Sequence, residues 1–314
     1  MADRAIRRVA VIGTGVIGAS WAAYFLARGL DVAATDPAPG AESRLRDDVA
    51  RAWPALTELG LDPSASPERL RFTDELEAAL ADADFVQENG PEREDAKREL
   101  FRRLGEATPP DVILASSSSG YGPSVFQDAA RHPERVLVGH PFNPPHLIQL
   151  VEVVGGGQTS DWAIEAAMSF YAAIGKRPIR ICKELVGHVV NRIQAALWRE
   201  AFHLVGTGAV SVAEVDAAIA HGPGLRWALM GPCLLNHLSG GEGGLAHTLE
   251  HLGPLMERMW ADLGDPRLTP ELKCRLVAGI EDELSEDDRE AMLAERDRLL
   301  VGLVSAKARA GNLP

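Results

Sequence analysis

The sequence predicts an α/β fold, in which a doubly wound, mostly parallel sheet is followed by an all-helical C-terminal domain. Three observations support this prediction. Short apolar runs alternate with helix-length segments through the first half of the 314-residue chain, a glycine-rich turn joins the first run to the first helical segment, and no strand pattern appears after about residue 181. Because the chain is long for one compact core, we expect two domains, 1–184 and 185–314.

The predicted strands are runs of four or five mainly apolar residues at 9–12, 32–35, 85–88, 112–115, 136–140 and 150–154. Two of the segments between them, 41–59 and 92–104, are charged and long enough to form crossover helices. Strands that alternate with helices in this way pair mostly in parallel, with helices on both faces of the sheet.

In the second half, apolar residues recur at every fourth position of 187–205, which places them on one helical face. The motifs Ser211-Val-Ala-Glu214 and Ser285-Glu-Asp-Asp288 each indicate the start of a helix, the second running over 286–303. The broad apolar face of 187–205 suits a symmetric partner, so we expect a homodimer.

Composition excludes several classes of partner. The net charge of −13 argues against nucleic acid or an anionic membrane as the main partner. The three cysteines, Cys182, Cys233 and Cys274, are too widely spaced to indicate a disulfide framework or a metal site. No apolar run approaches the ~18–20 residues that cross a bilayer. We therefore expect a cytoplasmic protein without a metal.

The glycine-rich turn is Gly13-Thr-Gly15-Val16-Ile17-Gly18, between a predicted strand and a predicted helix. Gly13 permits a tight turn, Gly15 lets the backbone approach a pyrophosphate, and Gly18 allows close packing of helix and strand. The N–H groups at the start of the helix, including those of Val16 and Ile17, then face the phosphates. This context is typical of a Rossmann-type dinucleotide site.

Asp36 identifies the dinucleotide. It ends the second predicted strand, about 20 residues after the turn, where a carboxylate accepts hydrogen bonds from the ribose hydroxyls of NAD. The same charge repels the 2′-phosphate of NADP. We therefore predict NAD as the cofactor; a tight turn without a ligand is the alternative.

A histidine and a glutamate on neighbouring predicted strands form the main candidate for chemistry. Glu152 interrupts the apolar run 150–154, and burying its carboxylate is costly unless another group pairs with it. His140 ends the preceding strand, and the proline-rich loop between them can fold back to bring the two together. Such a pair makes a good general base for oxidising an alcohol with NAD, whereas a purely structural ion pair is the alternative.

Four motifs carry a family resemblance: Gly13-Thr-Gly-Val-Ile-Gly18, Ala115-Ser-Ser-Ser-Ser119, His140-Pro-Phe-Asn-Pro144 and Val186-Gly-His-Val-Val-Asn191-Arg192. In this order they resemble the 3-hydroxyacyl-CoA dehydrogenase family over nearly the whole chain, 7–307. Within it, segments such as Ala52-Trp-Pro54 resemble enzymes that oxidise L-carnitine, a free hydroxy acid. Gly231-Pro232 is instead similar to the L-gulonate 3-dehydrogenases, or lambda-crystallins, so the branch stays open.

The resemblance implies roles for individual residues. His140 would be the general base and Glu152 its orienting carboxylate. Ser119 and Asn191 would hydrogen-bond the reacting oxygen. The alternatives are that Ser119 is only a turn residue, and that Asn191, on the buried side of a helix, has a hydrogen-bond partner other than the substrate.

The resemblance also places Glu88 and Lys97 near the nicotinamide ribose. The sequence alone favours a different interpretation of Lys97, as one more solvated charge on the helix. Ser117 stands where the acyl-CoA enzymes usually have an asparagine, a departure shared with the free-acid branch, and it joins the candidate substrate contacts.

Two residues in a glycine-rich connection complete the substrate set. Arg226 can bind a carboxylate through two parallel hydrogen bonds, with a surface salt bridge as the alternative. Trp227 can face a quaternary ammonium group through a cation–π contact, with burial in the core as the alternative. These residues favour a small free acid as the substrate.

The predicted activity is thus NAD-dependent oxidation of the 3-hydroxyl of a small hydroxy acid to the 3-keto acid. Three alternatives stay open. One is an acyl-CoA-dependent dehydrogenase, one is a biosynthetic ketoreductase with a specialised substrate, and one is a non-enzymatic NAD-binding protein of the crystallin type.

Overall fold

A computed structural model describes residues 6–284 and 289–313. The chain divides into two compact units at residues 192 and 193, here called the N-terminal unit and the C-terminal unit. The strands are β1 (Arg8–Ile12), β2 (Asp31–Thr35), β3 (Leu70–Phe72), β4 (Phe85–Glu88), β5 (Ile113–Ser116), β6 (Val136–Pro141), β7 (Leu150–Gly155) and β8 (Arg177–Ile181).

Helices alternate with these strands and then continue alone. They are α1 (Val16–Ala27), α2 (Ala41–Leu59), α3 (Leu76–Leu80), α4 (Glu94–Ala107), α5 (Asp161–Ala173), α6 (Val190–Thr207), α7 (Val212–Ala220), α8 (Pro223–Trp227), α9 (Pro232–Ser239), α10 (Gly244–Asp262), α11 (Pro270–Leu284) and α12 (Arg289–Arg309).

The eight strands form one sheet in the order β3-β2-β1-β4-β5-β6-β7-β8. Every neighbouring pair is parallel except β6 and β7, which run antiparallel. The predicted fold class is confirmed: a Rossmann-type sheet precedes a region in which every described element of secondary structure is a helix.

Alternation along each strand divides the core into two layers. On β1, Val9 and Val11 join the apolar cluster around Trp21 and Phe25, on one face of the sheet. Ala10 and Ile12 of the same strand join the second cluster, which contains Phe101 and Phe126. Successive side chains of a strand point to opposite faces, so a strand covered on both sides reads as a continuous apolar run.

Two strands escape prediction, and both lie at the edges of the sheet. The strand β3 has only three residues, too few to show a pattern. The strand β8 has the sequence Arg-Pro-Ile-Arg-Ile, and its proline and exposed arginines interrupt the apolar pattern by which a strand is predicted. Proline is tolerated on an edge strand because one row of N–H groups there has no strand partner.

The predicted helix 187–205 begins later, as α6. Gly187 has φ 75° and His188 has φ 53°, and these left-handed conformations cannot continue into a helix. The helix predicted over 286–303 corresponds to α12, and its predicted start, Ser285 to Asp288, lies outside the described residues. The capping box of Ser211 and Glu214 is confirmed at the start of α7.

Two negative findings hold for residues 6–284 and 289–313. No helix there is long and apolar enough to cross a membrane. No group of three or more His, Cys, Asp or Glu side chains is placed to hold a metal ion.

Candidate active site

The turn between β1 and α1 is open where a phosphate would lie. Gly13 has φ 86°, and a Cβ there would lie 2.7 Å from the carbonyl oxygen of Asn89. A Cβ on Gly18 would overlap the carbonyl oxygen of Gly13, whereas one on Gly15 would have no atom within 4 Å. Gly15 is the N-cap of α1 and has no side-chain capping bond. The first N–H groups of α1 are therefore available to an anion.

Asp36 lies beside this turn, at the end of β2. Its Oδ2 accepts a hydrogen bond of 2.7 Å from the N–H of Thr14, and its Oδ1 accepts one of 2.8 Å from the N–H of Ala38. The carboxylate is half-buried and remains accessible. The open turn, the helix start and this carboxylate are the parts that NAD requires, so the residues present fit NAD.

His140 and Glu152 face each other across the antiparallel pair β6 and β7. The Nδ1 of His140 lies 2.9 Å from the Oε2 of Glu152, and Glu152 is completely buried. Its other oxygen, Oε1, accepts hydrogen bonds from the N–H groups of Val189 at 3.0 Å and Val190 at 2.9 Å. The register of β6 and β7 thus forms the predicted pair. The N–H groups at the start of α6 add two hydrogen bonds to its carboxylate.

The partners of Glu152 keep it ionised. Burial by itself would raise the pKa of this carboxyl, but the hydrogen bonds from His140 and from the N–H groups of Val190 and Val189 outweigh it. The pKa of Glu152 therefore lies below its usual value. A carboxylate at Nδ1 favours the tautomer that carries its proton there, which leaves Nε2 of His140 as a proton acceptor.

The loop between β6 and β7 is held to α1. The side chain of Ser20 accepts a hydrogen bond from the N–H of His146, and its Oγ lies 2.8 Å from the ring nitrogen Nδ1 of the same residue. The buried Lys176 donates from Nζ to the carbonyl oxygens of Pro145 and Ile148. The helix that begins at the glycine-rich turn therefore also supports the loop that follows His140.

The serine run forms a turn after β5, here called the serine turn (residues 116–120). Glu92 holds it through Oε1, which accepts hydrogen bonds from Ser118 Oγ at 2.7 Å, Ser119 N at 3.0 Å and Gly120 N at 2.8 Å. Ser119 is exposed. Ser117 donates to Asn89 Oδ1 at 2.7 Å and accepts from Gln87 Nε2 at 2.8 Å.

Glu88 and Lys97 lie inside the N-terminal unit. Lys97 Nζ is 3.1 Å from both carboxylate oxygens of Glu88, and the two side chains are 2% and 0% exposed. Lys97 is thus not a solvated charge, because Glu88 and the Oε2 of Glu92, at 3.3 Å, pair with it. This burial leaves neither Glu88 nor Lys97 a surface for direct contact with a ribose.

Sequence reasoning missed Glu92. It stands in a charged segment, Pro91-Glu-Arg-Glu-Asp95, where nothing distinguishes it from its neighbours. Burial would raise the pKa of this half-exposed carboxyl, but the hydrogen bonds from Ser118 and Gly120 and the charge of Lys97 bring it below the usual value. Glu92 thus adds a second connection between the Glu88–Lys97 pair and the serine turn, beside the hydrogen bond that Ser116 donates to Glu88.

Asn191, in the first turn of α6, lies next to the serine turn. Its Nδ2 is 3.5 Å from the carbonyl oxygen of Ser119, at the limit of a hydrogen bond, and the side chain is half-buried. The structure thus places Asn191 beside Ser119, and it places the two preceding residues, Val189 and Val190, against Glu152. No hydrogen bond joins Ser119 and His140 directly among the described residues.

Arg226 and Trp227 lie in the C-terminal unit, at the end of the short helix α8. Arg226 is exposed, and its guanidinium forms no hydrogen bond or ion pair with the described residues. The surface salt bridge that was the alternative role for Arg226 is therefore absent among the described residues. Trp227 is 45% exposed, so its burial in the core is wrong.

Known proteins of one enzyme family match nearly the whole chain. The family model of the 3-hydroxyacyl-CoA dehydrogenase NAD-binding domain matches residues 8–185, and that of the C-terminal domain of the same enzymes matches 187–272. L-carnitine dehydrogenase of Nocardiopsis dassonvillei is 52% identical over 302 residues, covering 96% of this chain and 92% of the relative. The L-carnitine dehydrogenase of Streptomyces coelicolor is 52% identical over 306 residues, covering 98% and 96%.

A solved structure extends the likeness to three dimensions. The NAD⁺-dependent 5-formyl-3-hydroxy-2-methylpyridine 4-carboxylic acid 5-dehydrogenase matches with a TM-score of 0.84 at 31% identity, covering 97% of this chain and 99% of that one. NAD is thus the cofactor that the turn and Asp36 accommodate. This chain belongs to the 3-hydroxyacyl-CoA dehydrogenase family and is an NAD-dependent oxidoreductase.

Proposed function

We propose that the protein oxidises the C3 hydroxyl of L-carnitine to the 3-keto acid, with His140 as the general base. The observation that carries this proposal is the His140–Glu152 pair, in which a buried carboxylate orients an imidazole at the end of β6. The L-carnitine dehydrogenases at 46–52% identity support carnitine as the first substrate to test.

In the proposed reaction, NAD supplies the hydride acceptor. His140 takes the hydroxyl proton at Nε2, so the C3–H and O–H bonds break as the C=O double bond forms. Glu152 stabilises the resulting imidazolium, which forms in a buried place where an unpaired charge would be costly. Ser119 and Asn191 hold the reacting oxygen by hydrogen bonds.

The cofactor is held by two sets of residues in this proposal. The turn of Gly13, Gly15 and Gly18, with the N–H groups of Val16 and Ile17, binds the pyrophosphate, and Asp36 binds the adenine ribose. Glu88 and Lys97 do not touch NAD in this proposal; they hold Glu92 and the serine turn in place.

The substrate ends are assigned by charge. Arg226 binds the carboxylate, since it is exposed and no acidic side chain among the described residues pairs with it. Trp227 offers an exposed ring to the trimethylammonium group. The hydroxyl of Ser117 already donates a hydrogen bond to Asn89, so it can contact the substrate only by accepting one through its free lone pair.

We also propose that the protein is a cytoplasmic homodimer, with residues 1–184 for NAD and 185–314 for substrate and dimerisation. The three cysteines are free and exposed, as suits a reducing compartment. In the C-terminal unit, α6, α7 and α11 line an apolar groove whose side chains Trp198, Val277 and Ile280 are exposed. A contiguous apolar surface of this kind fits a second copy of the chain.

The association state can be tested with one substitution. Val277→Asp places a charge in this groove, and we expect sedimentation velocity to show a monomer where the wild type is a dimer. Ala278→Asp, on the same helix but outside the groove, is the matched control and should leave the dimer intact. A wild type that sediments as a monomer would refute the dimer.

The activity is tested by initial rates of NAD reduction with L-carnitine, L-gulonate, 3-hydroxybutyrate and 3-hydroxybutyryl-CoA. Saturable turnover of L-carnitine, faster than with the other three, is the expected result. Turnover of L-gulonate instead would move the chain to that branch. Turnover of the CoA ester alone would refute the free-acid assignment, and NAD binding without turnover of any substrate would refute the proposed activity.

A further inference from the structure

His188 is a second histidine beside the candidate base, and the mechanism above does not use it. It is completely buried, and its φ of 53° is uncommon for a residue with a side chain. It lies in the segment whose next two N–H groups bind Glu152. Strained backbone of this kind persists where the surrounding structure holds it, which is often at functional sites.

The hydrogen bonding of His188 defines its tautomer. Its Nε2 lies 2.9 Å from the carbonyl oxygen of Ser118, which can only accept, so Nε2 carries the proton. The other nitrogen, Nδ1, is buried, and no described donor reaches it. Protonation of Nδ1 would place a charged N–H in a site without an acceptor, which is costly. The ring is therefore a neutral imidazole with the proton on Nε2.

The ring of His188 lies against that of His140, with 5.2 Å between centroids and an angle of 47°. Phe142 lies near His140 as well, at 4.8 Å. Together with the hydrogen bond to Glu152, these contacts leave His140 little freedom to rotate. His188 thus connects the serine turn, through Ser118, with the imidazole that takes the proton.

Burial also favours the neutral form of His188. Burial lowers its pKa, the hydrogen bond to Ser118 and the carboxylates Glu152 and Glu92 raise it, and the neighbouring His140 lowers it, with a net decrease. Two adjacent imidazoles cannot both be charged without repulsion. When His140 takes a proton, a neutral neighbour avoids that repulsion.

We propose that His188 is a positioning residue for proton transfer, a permanently neutral imidazole that fixes the ring of His140 and ties it to the serine turn. The kinetic part of this inference rests on the proposed oxidation of a hydroxy acid. The tautomer and the neutral charge do not, so they can be tested without any substrate.

The first test is ¹⁵N NMR of the histidine rings in the NAD-bound protein, assigned with His188→Gln. The expected result is a His188 signal of the neutral Nε2–H form that does not change between pH 5.5 and 9. A His188 that gains a proton near pH 6.5, or that carries its proton on Nδ1, would overturn the proposal.

The second test compares two variants that divide the residue's functions. His188→Phe keeps a ring beside His140 but loses the N–H donor, whereas His188→Gln keeps a donor for Ser118 but loses the ring. We expect kcat to fall by about tenfold to a hundredfold in both, because small misplacements of a reacting group are costly. The Kd of NAD, measured by fluorescence, and the KM of the hydroxy acid should change less than threefold.

A kcat within twofold of the wild type in both variants would show that His188 is only structural and would overturn the proposal. His221→Phe, an exposed histidine in the C-terminal unit, is the matched control and should behave as the wild type. If the Phe variant does not fold, the Gln variant and the NMR experiment decide. If the wild type oxidises a different hydroxy acid of the panel, only the substrate assignment fails, and that acid replaces L-carnitine here.

Discussion

The two units of this chain treat their side chains differently. In the N-terminal unit, two apolar layers enclose the sheet, and the buried carboxylates Glu88 and Glu152 each accept several hydrogen bonds. In the C-terminal unit, large apolar side chains are exposed, among them Trp260 at 65% and Leu225 at 62%. The two buried carboxylates of the N-terminal unit are thus paired within that unit, whereas the C-terminal unit exposes large apolar side chains to solvent.

This difference suggests a division of labour. Chemistry needs groups that are already oriented, since reorganisation during the reaction adds to the barrier. Binding of a substrate or a second subunit needs surfaces that are still free. We therefore expect substitutions in the N-terminal unit to change kcat or stability, and those in the C-terminal unit to change KM or association.

The largest effect should follow the loss of the base. In His140→Ala we expect kcat to fall by about 10²- to 10⁴-fold, the usual contribution of a positioned general base. The Kd of NAD should stay within threefold, since the turn that binds it is untouched. Steady-state kinetics and fluorescence titration measure the two quantities, and His251→Ala is the exposed control. An unchanged kcat would remove His140 from the mechanism.

The buried ion pair should come next. Lys97→Met leaves the carboxylate of Glu88 buried without its cation. We therefore expect the free energy of unfolding, measured in urea, to fall by about 3 to 5 kcal/mol. Arg102→Met removes ion pairs from the exposed side of the same helix, α4, and should change stability little. Equal losses in the two variants would mean that burial of the pair does not matter.

Arg226→Ala tests the unpartnered charge of the C-terminal unit. Loss of a bidentate contact should raise the KM of the hydroxy acid by about tenfold to a hundredfold, with kcat nearly unchanged. Arg226→Lys should recover only part of this, because an ammonium group cannot form the planar fork. An unchanged KM in the alanine variant would rule out Arg226 as the carboxylate contact.

The smallest effect concerns pH. Because the pKa of Glu152 is lower in the folded protein, its stabilising contribution is complete above the unfolded value, about 4.3, and is lost as the pH falls through the folded value. His188 affects stability in a higher pH range. Because its pKa is lowered in the folded protein, the unfolded chain takes up the proton first, and the folded state loses stability as the pH falls below about 6.5.

Urea unfolding at several pH values separates the two residues. His188→Phe should lose less stability than the wild type between pH 7.5 and 5.5, and Glu152→Gln should lose less below about pH 4.5. Parallel pH curves for a variant and the wild type would contradict the shift assigned to that residue.

The elements that local pattern predicted well are those whose chemistry is local. The glycine-rich turn needs particular residues because a Cβ on Gly13 or Gly18 would collide with neighbouring backbone, and Asp36 directly follows the second strand. The His140–Glu152 pair was also predictable, since a carboxylate inside an apolar strand needs a partner and the previous strand ends in one. The pairing followed from the antiparallel register of β6 and β7.

What the sequence alone determined is therefore the fold class, the site for NAD and the identity of the His–Glu pair, because each depends on residues close together in the chain or on strand periodicity. Only the tertiary structure decided that Lys97 is buried, that Glu92 holds the serine turn, that His188 lies on His140, and that Trp227 is exposed. Burial and pairing of a polar side chain depend on groups brought from distant segments, and nothing in the local pattern records them.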